Sequence, residues 1–351
     1  MSAMKHSPSR DFPVTSTARF AGTLPSDLLD HVEAQVREFT DRVARRETGI
    51  AVRYDASDVV LSTGAEGLSV VVSAASALHL YQMRESVAYL LDHVFPEAGA
   101  ALVWEGGTPE TDVPPNFHLA TVRSVARVGA SFLRVEMACD GIEALSVGGM
   151  HFSLILPPEG RAPVWPRIDA RGRTAWPEGD DTLHRAAYTF VELDAEAGRF
   201  TFDVYEHDGG RTTEWARHAT PGTQVAVMGP GGGDFPAGDV LLMAGDETAL
   251  PAIRRILARS APARRGKVLI ELADAGNRED MPRPEGVEIN WITRGRGESL
   301  ADLLLAEPKP EADTFVWVAA EQGLVRTARA HFRKHWELPR DRGYFSAYWS
   351  A

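Results

Sequence analysis

Residues 240–253, VLLMAGDETALPAI, constrain the fold more tightly than any other stretch of the chain. Residues 240–243 are an unbroken apolar run of the kind a strand buried on both faces requires, and Ala244-Gly245 interrupts it. A helical pattern begins near Thr248: Pro251 sits in the first turn, where its missing N–H costs nothing, and Leu250, Ile253 and Leu257 share one face. Strand, turn and helix in this order build a parallel α/β sheet. They also set a helix N-terminus at the carboxyl end of a strand, where such sheets bind nucleotides. Asp246 and Glu247 weigh against a phosphate lying directly on the turn, because like charges there repel.

The same alternation runs to the end of the chain. It predicts strands at 240–244, 267–273, 287–292 and 314–319, helices at 248–259, 299–306 and 322–336, and a strand or aromatic tail at 344–349. From His118 to the glycine run at 229–233 the period is two, as in Phe132, Arg134 and Glu136 against Leu133, Val135 and Met137. Six such strands predict a closed antiparallel barrel, broken by a long polar excursion at 158–183 of the kind that is usually functional or mobile. Before it, residues 15–104 predict a small α+β domain. A helix with Leu28, Leu29, Val32, Val36, Phe39 and Val43 on one face runs through Arg46, strands follow at 50–54, 59–62 and 68–73, and a second helix spans 75–95. Residues 1–12 read as a disordered lead and 105–116 as a linker. The expected domains are therefore 13–105, 117–235 and 238–351.

Lys and Arg number 37 against 49 Asp and Glu, so a nucleic-acid partner or a polybasic membrane anchor is not expected. The single cysteine, Cys139, excludes an internal disulfide, a thiolate iron–sulfur cluster and a multi-cysteine zinc site. His31, His79 and His93 are scattered on helices and read as surface or packing residues, so no metal site is expected. With no signal-peptide core and no bilayer-length apolar run, the chain reads as cytoplasmic.

The string GDETALPAI resembles the signature of the siderophore-interacting proteins, flavin-containing reductases related to ferredoxin reductases. Further matching pieces follow in order: Tyr188-Thr189, Asp203 with His207, Trp215-Ala216, Pro221-Gly222, Gly229-Pro230-Gly231, Trp291 with Arg294, 316–319 with Glu321, and Tyr348-Trp349. A start reading STARF resembles a domain found fused ahead of that family. The resemblance implies a multidomain chain: an N-terminal α+β domain, an antiparallel β-barrel flavin domain and a parallel α/β nucleotide-binding domain, ferredoxin-reductase-like.

It also implies site residues. In the family an Arg-x-Tyr-Thr segment binds FAD, with Tyr on the flavin and Thr facing its reactive ring. Tyr188 and Thr189 are kept here, while Ala186 and Val191 stand at the arginine positions and the neighbouring Arg185 is one residue out of register. In a strand that slip turns a side chain to the other face. The turn Gly209-Gly210-Arg211-Thr212-Thr213 stands where the family's loop donates N–H groups to the pyrophosphate, with Arg211 able to supply charge and His207 just before it; a polar hairpin turn with nothing bound is the alternative. For NAD(P)H, Gly245, Asp246, Thr248 and Ala249 at the helix start and Arg294 beside Arg296 are the candidates, and Trp349 would cover the flavin. Arg326, Arg329, Arg333 and Lys334 on the last helix would attract an anionic ferric siderophore or else form a solvated face. The expected activity is reduction of a ferric siderophore by NAD(P)H through FAD. The alternatives are a diverged, non-catalytic binding or regulatory protein and a reductase fed by ferredoxin.

Overall fold

The computed structural model describes residues 12–107, 111–146 and 148–350. The lead expected at 1–12 falls almost wholly outside them. The chain forms two compact units: one runs to Pro115 and also takes in Trp165–Pro177, and the other comprises Asn116–Val164 and Glu178 onward.

The first unit is an antiparallel sheet in the order Val43–Arg46, Gly49–Arg53, Ser57–Gly64, Gly67–Ala74, Val14–Phe20, Val103–Glu105. Helix Ala77–Val94, capped by Ser76 accepting from the His79 N–H, lays Leu80, Val87 and Leu91 on Val59, Leu61, Val70 and Val72. Two expectations fail here. The helix predicted through Arg46 ends at Val36; Phe39 is exposed, and residues 43–46 instead pair with Gly49–Arg53 as an edge strand. Val14–Phe20 is an additional strand, paired to Gly67–Ala74 on one side and Val103–Glu105 on the other. Its alternation of Thr, Ser and Ala is too polar to announce burial, and only the neighbouring strands make it interior.

The expected long loop at 158–183 is ordered in its middle and packs in this first unit. Arg167–Ile168 pairs with Thr174–Ala175, and Asp169 closes the turn by accepting from the N–H groups of Arg171 and Arg173, both at 2.9 Å. The ribbon is held on helix Ala77–Val94 by Arg173 on Asp92 at 2.6 Å and by the Thr174 hydroxyl on Glu85 at 2.7 Å. The partners lie some eighty residues earlier in the chain, which is why local pattern does not show them.

The second unit carries both remaining layers. Its antiparallel sheet orders as His184–Thr189, His151–Leu156, Gln224–Gly231, Phe117–Val128, Phe132–Cys139, Arg199–Tyr205, Glu192–Asp194. The first and last of these are one bent strand: the Phe190 N–H donates to Met150 O and the Val191 N–H to Thr201 O, which closes the barrel. Phe152, Phe190, Phe200 and Phe202 fill it. The following sheet is wholly parallel, in the order Gly286–Thr293, Arg265–Leu272, Val240–Gly245, Thr314–Glu321, Gly343–Trp349. Val240–Gly245 is central and buried at every residue, as its apolar run requires. At Gly245 an added Cβ would lie 2.5 Å from Ala249 Cβ and 3.0 Å from Ala319 O, so only glycine lets helix Leu250–Ala258 start so close to the strand. The bidentate Arg134–Asp203 pair, extended by Arg254 at 2.6 Å, ties the barrel to that helix. Asn277 accepts from the N–H groups of Ala130 and Ser131 and so clamps the barrel hairpin there.

Candidate functional site

A cleft of about 790 Å³ opens between the barrel and the parallel sheet of the second unit, within the size range of small-molecule sites. Its barrel wall is Phe152, Ser153, residues 186–189, Tyr205 and His207; its other wall includes Glu247, Thr248, Pro251 and Arg294, and residues 346–350 of the last strand border it. Of the candidate cofactor-binding residues, the cleft gathers Tyr188, Thr189, His207, Thr248, Arg294 and Trp349, and its lining does not include Arg185, Gly210, Arg211, Thr212, Thr213, Gly245, Asp246 or Ala249.

On the barrel wall, Tyr188 packs against Phe202 at 5.1 Å, and burial, partly offset by Thr212, pushes its pKa up to about 12. Thr189, next along the strand, is buried at the cleft. Arg185 is exposed on the face opposite Ala186, as the register slip requires, so it does not replace the family arginine. The glycine turn is not an open hairpin: Arg211–His218 is a helix with Gly210 at its N-cap and no side-chain cap. The Thr212 hydroxyl engages His184 Nε2 at 3.1 Å, and the Thr213 hydroxyl accepts from the His207 N–H at 3.4 Å and faces the Tyr205 carbonyl. The hydroxyls of Thr212 and Thr213 are therefore engaged within the protein, which leaves their backbone N–H groups as the donors of this turn. The first-turn N–H groups after Gly210 have no intrahelical acceptor, and Arg211, which donates to Pro157 O at 2.5 Å, leaves its positive charge beside them. A Cβ at Gly210 would strike the His207 ring at 2.6 Å, so the backbone there is pressed onto His207.

The opposite wall is saturated. Asp246 accepts from Thr248 N–H at 2.9 Å, the Thr248 hydroxyl at 2.6 Å, Glu321 N–H at 3.2 Å and Trp349 Nε1–H at 2.7 Å. Burial raises its pKa, against these hydrogen bonds. Gly245, Asp246 and Ala249 are buried, and the Thr248 hydroxyl is bonded to Asp246. Arg294 is not poised for a nucleotide phosphate either: it pairs with Glu247 at 2.7 Å and Glu271 at 3.0 Å, and Glu247 also accepts from Ala273 N–H. On the last helix Arg329 donates to Phe345 O and Arg333 to the carbonyls of Leu338, Arg340 and Gly343, so two of the four cations fasten the chain's final strand.

Sequence reasoning missed His151. It lines the cleft, is 7 % exposed, bonds through Nε2 to the Tyr348 hydroxyl at 2.7 Å, and leaves Nδ1 without a partner among the described residues. Burial and then Arg255 lower its pKa to about 4, so the ring is neutral. Its only sequence signal was a histidine opening an apolar strand, which is indistinguishable from a packing residue.

The residues suit a flavin nucleotide. The cleft is lined by aromatic and hydroxyl groups, and an uncapped helix start with Arg211 lies at the foot of strand His184–Thr189 to meet phosphate charge. The comparisons with known proteins agree. Residues 121–234 match the model of the siderophore-interacting FAD-binding domain and residues 238–351 that of the siderophore-interacting protein. The ferric vibriobactin reductase of Vibrio cholerae is 28 % identical over 63 % of this chain and 85 % of its own, and the NADPH-dependent ferric-chelate reductase of Escherichia coli is 29 % identical over 67 % and 93 %. Among solved structures, the siderophore utilization protein from T. fusca superposes with a TM-score of 0.59 at 27 % identity over 67 % of this chain and 92 % of its own. The siderophore-interacting protein of Aeromonas hydrophila superposes with a TM-score of 0.57 at 25 % identity over 69 % of this chain and all of its own. No helix among the described residues is long and apolar enough to cross a membrane. Through residues 121–351 the chain belongs to the siderophore-interacting protein family and is an FAD-dependent oxidoreductase.

Proposed function

We propose that the protein is a cytoplasmic ferric-siderophore reductase, with FAD held by residues 117–235 and NAD(P)H as electron donor on residues 238–351. The observation that carries this reading is the cleft itself, where the barrel strand bearing Tyr188 and Thr189 faces the loop bearing Thr248 and the strand end bearing Trp349. Held there, FAD would supply the exchange between a two-electron nicotinamide donor and a one-electron acceptor, the ferric iron of a siderophore substrate whose hard oxygen donors hold Fe(II) less well.

The chain's own residues bind and orient. Tyr188 is packed against Phe152 and Phe202, so strand His184–Thr189 presents a rigid floor. The first turn after Gly210, with Arg211, supplies positive charge to the pyrophosphate in place of the arginines replaced by Ala186 and Val191. Trp349, anchored by Asp246, covers the open side and limits water access. His151, neutral and tied to Tyr348, adds a polar wall without charge.

The test is a purified protein supplied with FAD, a ferric catecholate siderophore and each nicotinamide, with Fe(II) trapped by a chromogenic chelator. The expected result is flavin absorbance that bleaches on adding NADH or NADPH, followed by Fe(II) release. A protein that stays colourless after reconstitution overturns the enzyme reading in favour of a binding role. Flavin that binds but is bleached by reduced ferredoxin and by neither nicotinamide overturns the donor.

A further inference from the structure

Helix Leu250–Ala258 carries two adjacent arginines with opposite fates. Arg254 is neutralised by Asp203 and Glu279. Arg255 is 5 % exposed and pairs with no carboxylate among the described residues. Its Nη1 donates to Phe190 O at 2.7 Å, its Nε is buried without an acceptor, and its guanidinium lies 5.8 Å from the Phe190 ring centroid and 5.7 Å from that of Phe235. Burial, and after it the like charge of Arg259, lowers its pKa to about 10. An unpaired buried cation costs several kcal/mol, about what one would expect to be removed unless its charge is used.

Its surroundings place that charge behind residues that line the cleft. The carbonyl it holds belongs to Phe190, next to Thr189 on the barrel wall, and Pro251, one turn earlier on the same helix, lines the cleft. The charge of Arg255 is, after burial, the second cause of the lowered pKa of His151, whose ring lines the cleft. We infer that Arg255 acts as a buried, uncompensated positive charge beneath the cleft that favours the reduced, negatively charged state of the bound flavin. This rests on the reading of the cleft as the FAD site. An oxidised isoalloxazine is neutral. Taking two electrons and one proton from the nicotinamide, which is itself oxidised, leaves the ring a monoanion, and a cation nearby in a low-dielectric, unscreened position stabilises that anion.

The experiment is a reductive titration of the FAD-loaded protein against a redox dye. Arg255→Met should bind the reduced cofactor at least tenfold less well relative to the oxidised one, a fall of about 30 mV in midpoint potential for a two-electron couple. Arg255→Gln, which keeps an N–H for the Phe190 carbonyl, should fall in the same way if Arg255→Met does not fold. Arg255→Lys should retain most of the potential, and Arg259→Ala should leave it unchanged. An unchanged potential in the neutral variants, an equal fall in the lysine variant, or an equal fall in Arg259→Ala overturns the inference. In flavin-free protein, the His151 titration followed by NMR should move upward in Arg255→Met, and a titration that stays put overturns it as well. A wild-type chain that takes up no FAD sinks the functional reading instead, while the histidine titration still decides whether the charge of Arg255 reaches the cleft.

Discussion

The two walls of the cleft are built to opposite rules. On the α/β wall, every polar side chain of the loop 246–248 is satisfied by the protein: Asp246 by four donors, Thr248 by Asp246, Glu247 by Arg294 and Ala273. On the barrel wall, Ala186 and Ala187 present no charge, His207 is exposed, and the helix start after Gly210 keeps N–H groups without intrahelical acceptors. A motif can therefore be the most recognisable part of a chain because it holds the fold, while the surface that meets the ligand is the less distinctive one. Variants on the α/β wall should move stability, and variants on the barrel wall should move flavin affinity.

The largest effect expected is that of Asp246→Ala. It strands the Trp349 indole, the Thr248 N–H and the Glu321 N–H, at roughly 1 to 3 kcal/mol for each group left unsatisfied, so denaturant unfolding should show a loss of at least about 3 kcal/mol. Unchanged stability would break the comparison on its α/β side. Next is the pH response of His151. Its pKa falls from 6.5 unfolded to about 4 folded, so the native state binds fewer protons and stability is complete above 6.5 and lost as pH falls through that window. By the acid end the loss is about 3 kcal/mol, at about 1.4 kcal/mol for each pH unit, and His151→Gln should flatten the curve of unfolding free energy against pH in that range.

Arg211→Ala is expected to leave the fold intact and weaken FAD by about 1.5 to 3 kcal/mol, roughly ten- to a hundredfold, the worth of one charge-assisted contact. Equilibrium dialysis against FAD measures this, and a loss of stability with unaltered FAD affinity would erase the distinction between the walls. The smallest change in ligand affinity is expected for Arg294→Ala. Its guanidinium is 40 % exposed, but it neutralises Glu247, whose side chain is 3 % exposed, so stability should fall by roughly 1 to 3 kcal/mol while the KM for NADH and NADPH changes only slightly. A KM for NADPH raised about tenfold, with NADH unaffected, would return Arg294 to the role of phosphate ligand.

Much of the architecture was legible because burial leaves a period. Residues 240–243 are continuously apolar and became the central strand; the alternation at 132–137 became a barrel strand; Pro251 and its apolar stripe became the helix that packs beneath the cleft. The failures share one cause. Phe39 and Val43 continue the helical stripe of 28–36, yet the chain leaves the helix to pair an edge strand, and Val14–Phe20 looks too polar to be interior until its neighbours flank it. The ribbon at 167–175 has no local signal for its partners on helix Ala77–Val94.

The candidate site divided in the same way. Tyr188, Thr189, His207, Thr248, Arg294 and Trp349 were found as positions, but what each side chain is free to do was not. Residue type and spacing determined the barrel, the parallel sheet and the family, since these depend on local periodicity and on short ordered motifs. Only the tertiary structure decided that Asp246 is spent on Trp349 and Glu321, that Arg294 is spent on Glu247 and Glu271, that Thr212 is spent on His184, and that Arg255 is left with its charge unopposed. The reason is physical: a polar group's availability is set by the partners that folding brings within about 3 Å, and those partners come from distant parts of the sequence.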